Sequence, residues 1–215
     1  MLVLLDIDGT LIGPNGDVSP AIWPVTERLR EVGGRIAVCT GRTHAGVALR
    51  IAERLDPDAP HVFHNGALVT TATGQVLHTA PLDADSLHQL KDHARRLGAT
   101  IEFYTPGAIY VDEITPECRV HADVLQIEPI ERDLGEVIGA EDVIRAHWIV
   151  DEDTIDAAID LDLPNAKVGV ATSPALPDSV FASVTRADAD KGTGARFAAE
   201  YLGYDVVEAI GVGDS

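Results

Sequence analysis

A near-continuous apolar run opens the chain, from Met1 to Asp8, and the succession of patterns behind it leaves few folds open. Such a run suits a strand covered on both faces, as strands are in a parallel sheet. Behind it, Ser19-Pro20 reads as the N-cap and first residue of a helix passing through Trp23, Leu29 and Val32 and stopping at Gly33-Gly34. Arg35 to Thr40 is a second buried strand, Thr43 to Leu55 a second helix ending near Asp56-Pro57, and His61 to His64 a third extended stretch. Strands and helices alternating in this way predict an α/β fold, a doubly wound, Rossmann-like parallel sheet with right-handed crossovers. Ligands of such sheets sit beyond the carboxyl ends of the strands.

Past Pro81 the pattern changes. Asp83 to Leu97 is an amphipathic helix, and Thr100 to Tyr104 and Ala108 to Asp112 are strands joined at Pro106-Gly107. Ile144 to Val150 and Ala166 to Ala171 are strands flanking a helix over Glu152 to Leu161. Residues 81–178 therefore read as an inserted α+β domain, and residues 1–80 with 179–215 as the α/β core. After a Pro-rich loop from Ser173 to Pro177, the first style returns with a strand near Val180 to Val184, a helix over Gly192 to Leu202 and a strand from Val206 to Val212.

With 46% apolar residues in 215, the chain can bury a substantial core. Its longest apolar runs are strand-sized, far short of the roughly 20 residues of a membrane-spanning helix, so no membrane partner is expected. No basic region precedes the first apolar stretch, which itself carries Asp6 and Asp8, so the expected location is the cytoplasm. The 16 basic against 35 acidic residues give a net charge of −19, which argues against nucleic acid as a partner. Aspartate is abundant and Lys91, Lys167 and Lys191 are the lysines, a composition that suits a salt-rich cytoplasm or simply an acidic protein. Two cysteines make no disulfide framework, and Cys39, inside an apolar run, reads as a small buried hydrophobe.

The chemistry-bearing residues cluster at strand ends. In LLDIDGT, period-2 alternation sends Asp6 and Asp8 to the same side, and Gly9 lets the backbone turn away. Two carboxylates so close repel unless a cation lies between them, and an oxygen-rich cluster suits Mg²⁺. Thr40-Gly41-Arg42 ends the second strand. Thr40 offers a hydroxyl, Gly41 admits an anion to the backbone N–H groups, and the following helix start favours negative charge. Arg42 either reaches a phosphate or forms a salt bridge at that helix start. Lys191, opening a later helix in Asp190-Lys191-Gly192, can hold a phosphoryl oxygen and screen the carboxylates. Asp214 ends the closing strand, and Asn65 stands where it could touch substrate. His61 and His64, three apart in an extended stretch, face opposite ways and make a poor metal pair. The acidic run Asp151, Glu152, Asp153, Asp156, Asp160, Asp162 reads as a solvated face, and nothing in residues 81–178 spells out a ligand.

DIDGT, TGR, Lys191-Gly192 and GDS, in this order, resemble the four motifs of the haloacid dehalogenase-like (HAD) phosphatase superfamily. The insertion after His64-Asn65-Gly66-Ala67 resembles the Cof-type branch with a type IIB cap. The resemblance implies Asp6 as a nucleophile that forms an aspartyl-phosphate and Asp8 as general acid, then general base. It implies Mg²⁺ held by Asp6, the Asp8 backbone carbonyl and Asp214. It gives Thr40, Gly41 and Lys191 to the transferring phosphoryl group, with Ile7, Arg42 and Asn65 in the same binding set. The substrate would be a small phosphorylated metabolite of sugar phosphate, phosphoglycolate or nucleotide type, and the protein a monomer or small homo-oligomer. A phosphomutase using the same intermediate, a D-x-D glycosyltransferase and a non-catalytic phosphate- or partner-binding relative are the rivals. Family members continue past GDS with a further metal-site carboxylate four residues after Asp214, so this sequence reads as a fragment or a shortened relative, the fragment being favoured.

Overall fold

The computed structural model describes residues 1–13, 16–173 and 176–214. The chain divides into two compact units, Met1–Thr79 with Ala189–Ser215, and Ala80–Asp188. The first holds strands β1 (Leu2–Leu5), β2 (Arg35–Val38), β3 (His61–Phe63), β4 (Leu68–Thr70) and β5 (Val76–Thr79), with helices α1 (Ile22–Glu31) and α2 (Gly46–Leu55). The second runs α3 (Ala84–Leu97), β6 (Thr100–Tyr104), β7 (Ile109–Val111), α4 (Pro116–Leu125), β8 (Ile130–Glu131), α5 (Leu134–Val137), β9 (Arg145–Val150), α6 (Ile155–Ile159), β10 (Ala166–Ser173) and β11 (Leu176–Arg186). The chain then returns to the first unit with α7 (Lys191–Tyr201) and β12 (Ile210–Val212).

In the first unit, β12, β1 and β2 pair in parallel in that order, with Val3 opposite both Ile210 and Ile36. A parallel bridge from Cys39 to Val62 carries this sheet toward β3, which begins the antiparallel set β3, β4, β5. Both faces of β2 are buried. Ala37 and Cys39 join Leu2, Leu4, Ala198 and Ala199 of α7 in one core cluster, while Ile36 and Val38 alternate to the other side, where α2 packs. This is the α/β layering that the opening strand and helix pattern predicts. Polar groups inside it are matched. His61 accepts the Val38 N–H at Nδ1 (3.1 Å) and donates from Nε2 to the Asp56 carbonyl (2.8 Å). Burial pulls its pKa down to about 4, so the ring is neutral, and with both nitrogens bonded to main chain it serves as a strut.

The second unit is a six-stranded sheet ordered β10, β11, β9, β6, β7, β8. Its main core contains Leu87 and Leu90 of α3, Phe103, Trp148 and Val184. Residues 179–188 belong here, which corrects the expected boundary at 178. The strand expected near Val180 to Val184 is part of β11, antiparallel to both β9 and β10 (Val184 faces Ala146 and Val168), and does not join the parallel sheet. The expected loop at 173–177 falls partly on residues 174 and 175, outside the described residues. Asp151, Glu152, Asp153, Asp156, Asp160 and Asp162 are exposed, and α6 spans five residues where the sequence suggests a longer helix. Among the described residues, no helix is long and apolar enough to cross a membrane.

Other boundaries move for local reasons. Helix α1 begins at Ile22, because Ser19 and Pro20 form a turn that accepts the Ile22 N–H on the Ser19 carbonyl (3.1 Å). Helix α2 begins at Gly46, after a tight turn from Ala45 N–H to Thr43 O (2.8 Å). The Asp205 side chain accepts the Val207 N–H (3.1 Å) and shapes Val206–Glu208 into a 3₁₀ turn, leaving a short β12.

One close approach fixes how α7 meets the sheet. Gly66 has φ +95°, and a Cβ there would lie 2.0 Å from the Asp190 carbonyl oxygen. A Cβ on Gly194 of α7 would already lie 2.5 Å from Val62 Cγ1. The start of α7 is thus seated on the turn after β3 through two glycines. Gly66→Ala is expected to cost at least about 1–3 kcal/mol, from backbone strain plus the clash with Asp190. Chemical denaturation checks this, and an unchanged midpoint would contradict the seating.

Candidate active site

Strand β1 ends at Leu5, earlier than the sequence suggests, so Asp6 stands just beyond the strand and Asp8 in the adjoining turn. Asp6 is 8% exposed and held at three points. Its N–H donates to the Val212 carbonyl (2.9 Å), tying it to β12. Its Oδ1 accepts the Ile7 N–H (2.7 Å), and its Oδ2 accepts the Lys191 ammonium. The Ile7 side chain is fully buried, so Ile7 enters the site through its main chain. The Ile7 carbonyl accepts Leu11 N–H and Ile12 N–H (3.0 and 2.8 Å), which closes the turn that Gly9 starts at φ +71°.

Asp8 is paired with a different cation. Arg42 grips it in a fork, Nη2 to Oδ1 at 2.6 Å and Nε to Oδ2 at 2.9 Å. The hydrogen bonds from Arg42 hold the Asp8 carboxyl below the usual carboxylate range; burial opposes the shift, and the charges of Arg42 and Lys191 add to it. Of the two sequence readings of Arg42, the structure contains the salt bridge. Each carboxylate of the D-x-D pair is therefore neutralised separately, Asp6 by Lys191 and Asp8 by Arg42.

The remaining residues converge around this pair. Thr40 is fully buried, and its hydroxyl accepts the Arg42 N–H (3.2 Å), which leaves the hydroxyl proton to donate elsewhere. Asn65 is exposed and sits in the left-handed region (φ 54°), a conformation asparagine tolerates. Its N–H donates to the Thr40 carbonyl (3.0 Å). Its side-chain amide covers Gly41 so closely that a Cβ there would lie 2.8 Å from Oδ1. Lys191 is the first residue of α7, placed by a capping box between Asp190 and Thr193. Cys39 Sγ lies 3.6 Å from the Lys191 carbonyl, and burial pushes its thiol up to about 12, so it packs and does not react. Asp214 comes after β12 and lies directly over Gly9, where a Cβ would stand 2.1 Å from Oδ2. Ser215 lies outside the described residues. A cavity of about 380 Å³ adjoins the Asp6–Lys191 pair, walled by Leu4, Cys39, Ala195 and Val212.

Asp6, Asp8, Thr40, Gly41, Arg42, Asn65, Lys191 and Asp214 thus gather at the carboxyl ends of β1, β2 and β12. Gly194 is not singled out by the sequence reading, although the Gly-Thr-Gly after Lys191 is a signal for close helix approach.

These residues lie at the strand ends of an α/β core around Asp6, and comparison with known proteins shows which family the chain resembles. Residues 3–215 match the family model described as haloacid dehalogenase-like hydrolase. The putative phosphatase YxeH of Bacillus subtilis is 24% identical over all of this chain and 80% of its own length. The solved phosphatase BT1666 of Bacteroides thetaiotaomicron superposes with a TM-score of 0.77 at 23% identity, over 100% of this chain and 77% of its own. The solved HAD subclass IIB sugar phosphatase BT4131 gives a TM-score of 0.77 at 19% identity, over 100% of this chain and 80% of its own. The chain belongs to the haloacid dehalogenase-like hydrolases.

The lowered value for Asp8 sets a pH dependence. The folded value lies below the unfolded one of about 3.9, so the Arg42 pair stabilises the fold above that pH and is lost as pH falls through the folded value. Both side chains are more than a third exposed, which limits the contribution to less than about 1 kcal/mol. Carbon NMR of the Asp8 carboxyl should show titration below the ordinary range in the wild type and an upward return in Arg42→Gln. An identical titration in both would contradict the pairing.

Proposed function

We propose that this protein is a Mg²⁺-dependent phosphomonoester hydrolase that turns over small phosphorylated metabolites through an aspartyl-phosphate on Asp6. The observation that carries the reading is the fixed Asp6 carboxylate, with Oδ1 on the Ile7 N–H and Oδ2 on Lys191, beside the Thr40–Gly41 turn. A carboxylate oriented by a backbone donor and a lysine is set for in-line attack on phosphorus. The bond from phosphorus to the leaving alcohol oxygen breaks as the bond to Asp6 forms, and water then attacks the phosphorus and regenerates the carboxylate.

Lys191, the Thr40 hydroxyl and the Gly41 backbone receive the phosphoryl oxygens, where charge develops. Asp8 delivers a proton to the leaving oxygen and later takes one from water, a role that requires it to leave the Arg42 fork. Freed, Arg42 binds a substrate anion together with Asn65. The donors present fit a hard divalent cation: Asp6 and Asp214 supply carboxylates, the Asp8 carbonyl adds an oxygen, and Asp214 reaches its place only because Gly9 has no side chain. When bound there, Mg²⁺ neutralises charge between nucleophile and phosphate. The net charge of −19 supports a soluble metabolite rather than nucleic acid as substrate; a cytoplasmic setting and a monomer or small homo-oligomer complete the reading.

Phosphate release from p-nitrophenyl phosphate and from a panel of sugar phosphates, phosphoglycolate and nucleotides tests the reading. Asp6→Asn should lose activity by about 10³-fold or more, and Lys191→Met by about 10²–10³-fold. No turnover across the panel would refute the hydrolase. Transfer between hydroxyls of a sugar phosphate with little free phosphate would point to a mutase.

A further inference from the structure

The second unit buries a group of side chains that the proposed reaction does not use. Glu102 on β6 and His147 on β9 stand directly opposite each other across the strand pair. Helix α4 brings His121 to the same point, and the three are 1%, 5% and 7% exposed in the order Glu102, His147, His121. Both Nδ1 atoms face one carboxylate oxygen, with His121 at 2.9 Å and His147 at 3.9 Å from Glu102 Oε2. One ligand atom from each residue lies within 4.8 Å of the other two.

We infer that Glu102, His121 and His147 form a second metal site, in the unit spanning residues 80–188, for zinc or a similar late first-row divalent cation. Two imidazoles and a carboxylate are the donors such ions prefer, whereas Mg²⁺ favours oxygen alone. Zinc bonds of about 2.0–2.1 Å in tetrahedral array separate neighbouring donors by about 3.3–3.4 Å. The observed separations bracket that value, so small ring rotations would seat the ion without moving backbone.

The surroundings are those of a supported site. The two imidazoles meet edge to face at 5.0 Å, and Phe181 of β11 packs on both, at 4.9 and 5.2 Å. The Tyr104 hydroxyl donates to Glu102 Oε2 (2.6 Å), the kind of outer contact that orients a ligating carboxylate. Cys118, one turn before His121, is buried, and burial together with the nearby Glu102 carboxylate pushes its thiol up to about 12. A buried carboxylate gains much from a cation that can be fully ligated; without a metal, Glu102 has the charge of the buried Arg145 guanidinium and its hydrogen bonds. The inference stands apart from the hydrolase reading, since none of these residues belongs to the Asp6 site.

The test uses the full chain, stripped with a chelator and kept in excess Mg²⁺, then titrated with Co²⁺ followed by Zn²⁺. One equivalent of Co²⁺ should give the intense visible bands of a four-coordinate site, Zn²⁺ should bleach them, and Glu102→Gln, His121→Ala and His147→Ala should each lose them. X-ray absorption of the zinc-loaded wild type needs no variant and should count two imidazoles in the zinc shell. Weak six-coordinate bands alone, an all-oxygen shell, or strong bands that survive His121→Ala in a folded variant would overturn the site.

Discussion

The ion pair between Lys191 and Asp6 joins residues 185 positions apart, and the site's geometry depends on it. Asp6 comes from the first strand and Lys191 from the first residue of α7, after the entire second unit has intervened. Their meeting is secured by backbone packing. Gly66 lies against the Asp190 carbonyl, Gly194 lies against Val62, and Cys39 touches the Lys191 carbonyl, so the helix start has little freedom to shift. The capping box of Asp190 and Thr193 then fixes where the helix begins, and so where the lysine projects. An ammonium so held compensates a nearly buried carboxylate and can meet an incoming phosphoryl oxygen with little reorganisation.

Charge on this protein is organised by scale. The whole chain carries −19, which repels polyanions over long range, while at the strand ends Lys191 and Arg42 each neutralise one carboxylate of the Asp6–Asp8 pair. The proposed phosphate ester would meet both cations at contact distance in competition with Asp6 and Asp8, while carboxylates elsewhere on the chain are screened by salt. The Arg42–Asp8 fork holds the proposed acid's carboxyl below the usual carboxylate range, and a ligand that competes for the arginine would remove that hold. In the proposed reaction, substrate binding and the proton affinity of Asp8 would be coupled through one guanidinium.

Much of the site is legible in the sequence because its residues sit where local rules are strong. Asp6 and Asp8 come after an apolar strand, Gly9 marks the exit turn, Thr40-Gly41-Arg42 closes a second strand, and Lys191 sits behind an aspartate cap. What the linear order hides is non-local. The strand around Val180 to Val184 is visible, but its pairing with β9 and β10 is set by contacts across the sheet, so a local reading assigns it to the wrong unit. Alternation places Asp6 and Asp8 together on one side, yet β1 stops at Leu5 and the two carboxylates find different cations. Glu102 and His121 are 19 residues apart and Tyr104 and His147 are 43 apart, so nothing in the linear order announces that they meet.

The central claim is that Asp6 carries the phosphoryl group between two half-reactions. Rapid mixing with a good substrate, a quench in borohydride and peptide mass spectrometry test it directly, because an acyl phosphate is reduced to an alcohol while a free carboxylate is not. The account predicts homoserine at position 6 that appears within the first turnover and only with substrate present. Phosphate release with residue 6 unchanged, or reduction at another acidic residue, would contradict it.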